Sequence, residues 1–223
     1  MILSDKYPFG IFSKNKDNIM YTTGTTTVAI KCKDGVVLGA DTRVTAGYYI
    51  AHKHGKKIHM ITPNIAITIA GVVADAQAII NIIKYNINIY QLTLNKEITA
   101  KSAARLLSVI LFSHRLFPYI TELIIAGKDS DGYGIYRLDP LGSLVKDEIS
   151  ATGSGSTIAI GVLESNYKPD ITVKDGIKLV AKALLAAMKR DVASGDDMDL
   201  AIIDDQGYRE LSKEEKEELL KNM

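Results

Sequence analysis

Residues 24–41 read Gly24-Thr25-Thr26-Thr27-Val28-Ala29-Ile30-Lys31-Cys32-Lys33-Asp34-Gly35-Val36-Val37-Leu38-Gly39-Ala40-Asp41. Val28, Ile30 and Cys32 alternate with Thr27, Ala29 and Lys31, the period of two that marks a strand. Asp34-Gly35 is a two-residue hairpin signal, and Val36–Ala40 reads as the returning strand. The stretch therefore opens an antiparallel sheet. Its first junction, Gly24-Thr25, admits two readings. One is a glycine turn leading into a threonine-rich strand, threonine being favoured in strands. The other is a cut after Gly24. A threonine hydroxyl is a weak nucleophile until a base takes its proton, and a free α-amine on the same residue is such a base. That amine exists only if residues 1–24 are removed.

Working outward, residues 1–24 are polar, mixed in charge and punctuated by Pro8 and Gly10. They lack the long apolar segment of a secretory signal. Downstream, 51–59 reads as a basic loop and 65–70 alternates through Ile65, Ile67 and Ile69. Two helices follow. One carries Ala76, Ile79, Ile80, Ile83, Ile87 and Tyr90 at helical spacing, the other Ala100, Ala103, Leu107, Ile110, His114 and Phe117. Strands return at about 122–127 and 133–138 through Asp131-Gly132, with a third at roughly 144–151. A helix spans about 155–163. Thr172 and Asp175 form a capping-box pattern before the helix of Ile177, Val180, Ala181, Leu184 and Met188. A hairpin runs through Asp205-Gln206-Gly207, and Ser212 with Glu215 caps a charged terminal helix. Helices grouped between blocks of antiparallel strands predict an α+β protein with two stacked sheets and helices outside them.

Composition narrows the classes. At 223 residues the chain is expected to hold one domain, and 47% hydrophobic residues suffice for a sizeable core. The formal charge of +1 gives no reason to expect nucleic acid or an anionic membrane as partner. The single cysteine, Cys32, excludes an internal disulfide and a multi-cysteine zinc site, and is expected to be a buried core residue. No apolar run approaches membrane-spanning length, and the sequence is consistent with a cytoplasmic protein.

Several blocks in order carry a resemblance. They are Gly24-Thr25-Thr26-Thr27-Val28, Asp41-Thr42-Arg43-Val44-Thr45, Gly55-Lys56-Lys57-Ile58, Ile69-Ala70-Gly71, Thr152-Gly153-Ser154-Gly155-Ser156 and Arg190-Asp191-Val192-Ala193-Ser194-Gly195. From Thr25 to about residue 204 the chain resembles the proteasome β subunits, in particular the single-type archaeal ones. The resemblance implies a four-layer αββα sandwich of the N-terminal-nucleophile hydrolase fold. It implies a leader, 1–24, removed by self-processing at Gly24-Thr25, and a single catalytic domain, 25–223. It implies a threonine endopeptidase that needs no metal or organic cofactor. The implied partners are β subunits in a seven-membered ring, a facing β ring, outer α subunits, an ATP-dependent unfoldase and unfolded polypeptide substrates.

Residue by residue, Thr25 would supply the attacking Oγ and its own amine as base; such an amine titrates near ~7.7–8.0 and needs no imidazole helper. His52, His54 and His59 read as a solvated basic loop, and His114 as a partly buried helix residue. The resemblance makes Lys57 a buried ammonium beside Thr25, paired with Asp41; most lysines are exposed, and Lys56-Lys57 alone reads as loop. It makes the Gly71 N–H an oxyanion donor, where a strand-to-helix turn is the plain reading. Thr152–Ser156 lacks the P-loop ending and the Rossmann spacing; it caps a helix, and by resemblance puts Ser154 near the Thr25 amine. Asp191 and Ser194 fit a helix C-cap closed by Gly195, and by resemblance orient that amine and a water. Val44, Ile69 and Val73 match the family's main substrate pocket, with Thr45 and Gly71 binding substrate backbone. The alternatives are a proteolytically silent β-ring subunit, the bacterial two-ring relative, and a nucleic-acid module on Lys53–His59. The last lacks interleaved aromatics.

Overall fold

The computed structural model describes residues 24–223, so the expected leader lies outside the described residues except for Gly24. β1 (Thr27–Cys32) and β2 (Gly35–Asp41) pair antiparallel with Cys32 opposite Gly35. The two turn residues are thus Lys33 and Asp34, one position before the expected Asp34-Gly35. A ribbon of β3 (Val44–Ala46) and β4 (Tyr49–His52) follows. Next come β5 (Ile58–Thr62), β6 (Ile65–Gly71), α1 (Val73–Leu94), α2 (Ala100–Ser113), β7 (Thr121–Asp129), β8 (Gly132–Leu138), β9 (Leu144–Asp147) and β10 (Ile149–Thr152). The chain closes with α3 (Ser156–Asn166), α4 (Val173–Met188), β11 (Met198–Asp204), β12 (Gly207–Glu210) and α5 (Lys213–Lys221).

Among the described residues two five-stranded sheets form, ordered β10-β1-β2-β11-β12 and β5-β6-β7-β8-β9. Every pairing is antiparallel. The strand expected over 144–151 is broken at Glu148. Asp147 pairs with Ile135 of the second sheet, whereas Ile149 pairs with Ile30 of the first, so the chain changes sheets there.

The core explains the layering. Val28, Ile30 and Cys32 point at α3 and α4 and pack with Leu163, Val180, Leu184 and Ala187. On the other face of the same strands, Ala29, Val36 and Leu38 meet Ile58, Ala66, Ile124 and Ile135 of the second sheet. The second sheet's outer face, through Ile67, Ile69, Leu123 and Ile125, packs on Ile79, Ile83, Ile87 and Leu107 of α1 and α2. The result is the α+β, αββα sandwich. Both faces of β1 and β2 are covered, so these strands are buried almost throughout.

Helix α2 departs from expectation at its end. It stops at Ser113, and Ser108 and Leu111 take the buried stripe. His114 is the exposed C-cap and Phe117 lies outside the helix, 73% exposed. Ser212 and Glu215 make the full reciprocal capping box, and Thr172 accepts from the Asp175 amide. Among the described residues no helix is long and apolar enough to cross a membrane.

Candidate active site

Asp41 ends β2 with its carboxylate fully buried. Four donors converge on it. Oδ1 accepts from Lys57 Nζ at 2.7 Å and from the Thr26 amide at 2.8 Å. Oδ2 accepts from the Gly195 amide at 3.0 Å and the Arg43 amide at 3.1 Å. A buried carboxylate is tolerated only when its lone pairs are filled in this way. Lys57 enters from the start of the second sheet, just before β5, so the ion pair spans both sheets. Its side chain is 8% exposed. Burial pushes the Lys57 pKa down, against the upward pull of Asp41, and burial prevails.

Thr25 precedes β1 and is buried. Its nitrogen, a peptide N–H while Gly24 is attached, donates to Ser154 Oγ at 3.2 Å. That nitrogen marks where an α-amine sits after a cut. Ser154 Oγ and Ser194 Oγ each donate to Asp191 Oδ2 at 2.6 Å. Thr26 Oγ1 lies 2.7 Å from Ser194 Oγ. A hydroxyl has one proton. Ser194 spends its proton on Asp191, so Thr26 is the donor to Ser194. The chain of bonds from the Thr25 nitrogen thus runs through Ser154 to Asp191, and back through Ser194 to Thr26.

Behind it, Thr27 Oγ1 lies 2.7 Å from Thr152 Oγ1 and 2.9 Å from Thr68 Oγ1, tying β1 to β10 and to β6 across the sheets. Sequence reasoning assigned no role to Thr26 and Thr27. Their signal was three consecutive threonines at a position where both faces of the strand are covered.

The loop after α4 differs from the expected glycine cap. α4 ends at Met188, and the left-handed residue of the loop is Asp196, at φ 67°, not Gly195. A Cβ on Gly195 would lie 2.5 Å from Arg43 Cζ, so the Arg43 side chain would have to move. Gly71 ends β6 at φ 132°, and a Cβ there would lie 2.2 Å from the Ile120 carbonyl oxygen.

A cavity of about 420 Å³ opens beside Thr25. Val44, Ile69, Gly71 and Val73 line it, as do Lys57, Ala76 and Ile80. Thr45 stands at the neighbouring peptide, where its Oγ1 accepts from the Gly24 amide at 2.9 Å. His52, His54 and His59 also border this cavity. The expected basic loop 51–59 is therefore partly ordered into β4 and β5. His52 and His54 are exposed and His59 is half-buried. Burial and then the nearby Lys56 hold the His59 pKa below its ordinary value. Among the described residues no group of three or more His, Cys, Asp or Glu side chains is placed to hold a metal ion.

Comparison with known proteins identifies the family of the chain as a whole. The family profile described as "Proteasome subunit" matches residues 21–203. The chain is 47% identical over 201 residues to "Proteasome subunit beta" of Ferroglobus placidus, covering 90% of this chain and 96% of that protein. It is 46% identical over 187 residues to "Proteasome subunit beta 2" of Pyrobaculum aerophilum, covering 84% and 92%. Against "Proteasome subunit beta" of Methanosarcina barkeri the identity is 44% over 200 residues, covering 89% and 95%. With two sheets between helix layers and an unbroken match over most of its length, the chain belongs to the proteasome subunit family and is similar to its archaeal β subunits.

Proposed function

We propose that this chain is a catalytic β subunit of the proteasome core and a threonine endopeptidase that degrades unfolded polypeptides. Leader removal exposes Thr25 as an N-terminal residue. The observation that carries the reading is the convergence on Thr25. Its nitrogen is held by Ser154 and, through it, Asp191. Lys57, paired with the buried Asp41, lines the cavity that opens beside Thr25. A silent ring subunit has no need to bury a lysine there, because burial of an ammonium is costly unless its charge is used.

In this mechanism the Thr25 amine takes the Oγ proton as Oγ bonds to the scissile carbonyl carbon. Lys57 stabilises the negative charge developing on Oγ, and the Gly71 amide would donate to the carbonyl oxygen as it becomes an oxyanion. The C–N bond then breaks, and the ammonium returns its proton to the leaving amine. The resulting ester is attacked by water. The amine takes a water proton, the second product leaves as a carboxylic acid, and Thr25 Oγ regains its hydrogen. Processing attacks the Gly24 carbonyl, where the Thr25 nitrogen is still an amide and cannot serve as base. A water takes the Oγ proton as Oγ bonds to the carbonyl carbon, and the C–N bond breaks as the Thr25 nitrogen receives a proton from that water. A water then hydrolyses the resulting ester, freeing residues 1–24.

Val44, Ile69 and Val73, with Ala76 and Ile80 beside them, favour an apolar side chain before the cut bond. The histidines and Lys56 at the rim disfavour a cationic one. Leucine, tyrosine or phenylalanine should be cut faster than arginine or glutamate there. Thr45 and Gly71 would bind the substrate backbone as an added strand. The active assembly consists of seven-membered β rings placed face to face between α subunits, fed by an ATP-dependent unfoldase in the cytoplasm; confinement protects the cell from a self-exposing peptidase.

The test joins intact mass to activity. The assembled wild type should begin at Thr25, and Thr25→Ala should stay full length and hydrolyse nothing. Peptides differing only before the cut bond should rank as stated, and activity should elute with the α-containing high-mass fraction. A Thr25→Ala chain trimmed at Gly24 at the wild-type rate, or retaining peptidase activity, overturns the proposal.

A further inference from the structure

Arg43 lies between β2 and β3, two residues after Asp41, yet its side chain crosses to the loop after α4. Nε donates to Asp196 Oδ2 at 2.8 Å and Nη1 donates to the Val192 carbonyl at 2.9 Å. The guanidinium rests over Gly195, close enough that a Cβ there would displace it. The two anchor points bracket Ala193, Ser194 and Gly195. Those residues hold the loop to the site: Ser194 to Asp191 and Thr26, and Gly195 to Asp41.

Asp196 is held in the left-handed region, which an aspartate enters only at a cost and which the surroundings must therefore impose. Arg43 is its ion-pair partner. The pair is largely shielded, at 21% and 16% side-chain exposure, so it is not a freely solvated contact. Arg43 also borders the substrate cavity beside Val44. A planar guanidinium satisfies two acceptors in fixed directions, which an ammonium on a flexible stem does not.

We propose that Arg43 is a positioning residue, a strap from the substrate-pocket wall to the 192–196 loop that fixes Asp191 and Ser194 against the Thr25 amine. This rests on the reading of Thr25 as nucleophile. Arg43 touches none of the reacting atoms. With the strap cut, the chemical step should suffer more than substrate binding. The Asp191 carboxylate favours the protonated amine, so its displacement lowers the amine's pKa and moves the acid limb of the rate profile to lower pH.

The experiment compares Arg43→Ala, Arg43→Lys and Asp196→Asn in the mature assembled protein. It uses a leucine-terminated fluorogenic peptide, the pH profile of kcat/KM and the thermal midpoint. For Arg43→Ala, kcat should fall roughly 10–100-fold, as for a misplacement of about an ångström, with KM within about threefold. The acid limb should move down by about half a pH unit. Arg43→Lys should not restore kcat. Asp196→Asn tolerates the same backbone but loses the charge, and should lower kcat in the same direction. The double variant Arg43→Ala with Asp196→Asn should be no worse than Arg43→Ala alone, because the two act as one unit.

A wild-type kcat and acid limb in Arg43→Ala, with only a lower thermal midpoint or a raised KM, overturns the proposal. If Arg43→Ala does not assemble, Asp196→Asn decides: an unchanged kcat and pH profile refutes the strap. Peptidase activity in Thr25→Ala would instead remove the underlying reading, so the two failures are distinguishable.

Discussion

The two sheets serve the site in different ways. The sheet β10-β1-β2-β11-β12 and its loops supply Thr25, Thr26, Asp41, Ser154, Asp191 and Ser194, a set of short polar side chains joined to one another and to backbone amides. The sheet β5-β6-β7-β8-β9 and its flanks supply Lys57, Ile69 and Gly71: one cation, an apolar wall and a glycine turn. Groups held by several short bonds are rigid and orient protons. A cation and an open wall instead supply charge and space. Asp41 and Lys57 are where the two contributions meet, so their separate removal should not be equivalent.

The largest effect is expected for Asp41→Ala. It strands the Lys57 ammonium and leaves the Thr26, Arg43 and Gly195 amides without their acceptor, costing about 3–5 kcal/mol in a denaturation measurement. Lys57→Met should cost less stability, about 1–3 kcal/mol, because Asp41 retains three backbone donors. It should nonetheless abolish at least ~100-fold of the activity by removing charge stabilisation at Oγ. If Lys57→Met proves the more destabilising of the two, the first sheet is not the rigid partner described above.

The same lysine predicts a pH dependence. Its folded pKa lies below the ordinary lysine value of 10.5. Between the two values the unfolded chain binds the proton that the folded chain has released, so this group's contribution to stability rises with pH across that window. Activity should move the opposite way, with an alkaline limb that begins below the ordinary lysine range and is missing from the residual rate of Lys57→Met.

Far from the site, the second sheet has its own buried carboxylate. Asp129 accepts from the Tyr136 hydroxyl at 2.5 Å and from the Lys101 amide, at the start of α2, at 2.8 Å. Asp129→Ala should lower stability by about 1–3 kcal/mol while leaving kcat unchanged, in contrast to the effect the proposed mechanism assigns to Asp41 and Asp191. The smallest effect is expected for Glu210→Gln. The Lys56–Glu210 pair at 2.6 Å is about half exposed on both sides, so its loss should change stability by less than about 1 kcal/mol in a thermal melt.

Much of the layering was legible because burial periodicity is local. The stripe Ile79, Ile80, Ile83 and Ile87 named the buried face of α1, and the alternation of Val28, Ile30 and Cys32 with Thr27, Ala29 and Lys31 separated the two faces of β1, although both are covered. Local signals failed at boundaries. Asp34-Gly35 and Asp131-Gly132 each marked a hairpin one residue late, because the glycine belongs to the returning strand. The split at Glu148 had no sequence signal, since a strand that changes sheets keeps the same composition on both sides. His114 and Phe117 continued a helical spacing past the point where α2 has anything to pack against.

Determined by the sequence itself are the order of elements, the alternation of the strands, the buried stripe of α1, and the presence of a threonine that a cut after Gly24 would expose. Each depends on residues adjacent or one turn apart. The tertiary structure decided that Lys57 is buried on Asp41, that Thr26 donates to Ser194, and that Arg43 reaches Asp196 rather than solvent. These partners lie 16, 168 and 153 positions apart. A hydroxyl or guanidinium carries no local mark of its eventual acceptor. Only the stacking of the two sheets, driven by their apolar faces, brings such groups within hydrogen-bond reach and excludes the water that would otherwise satisfy them.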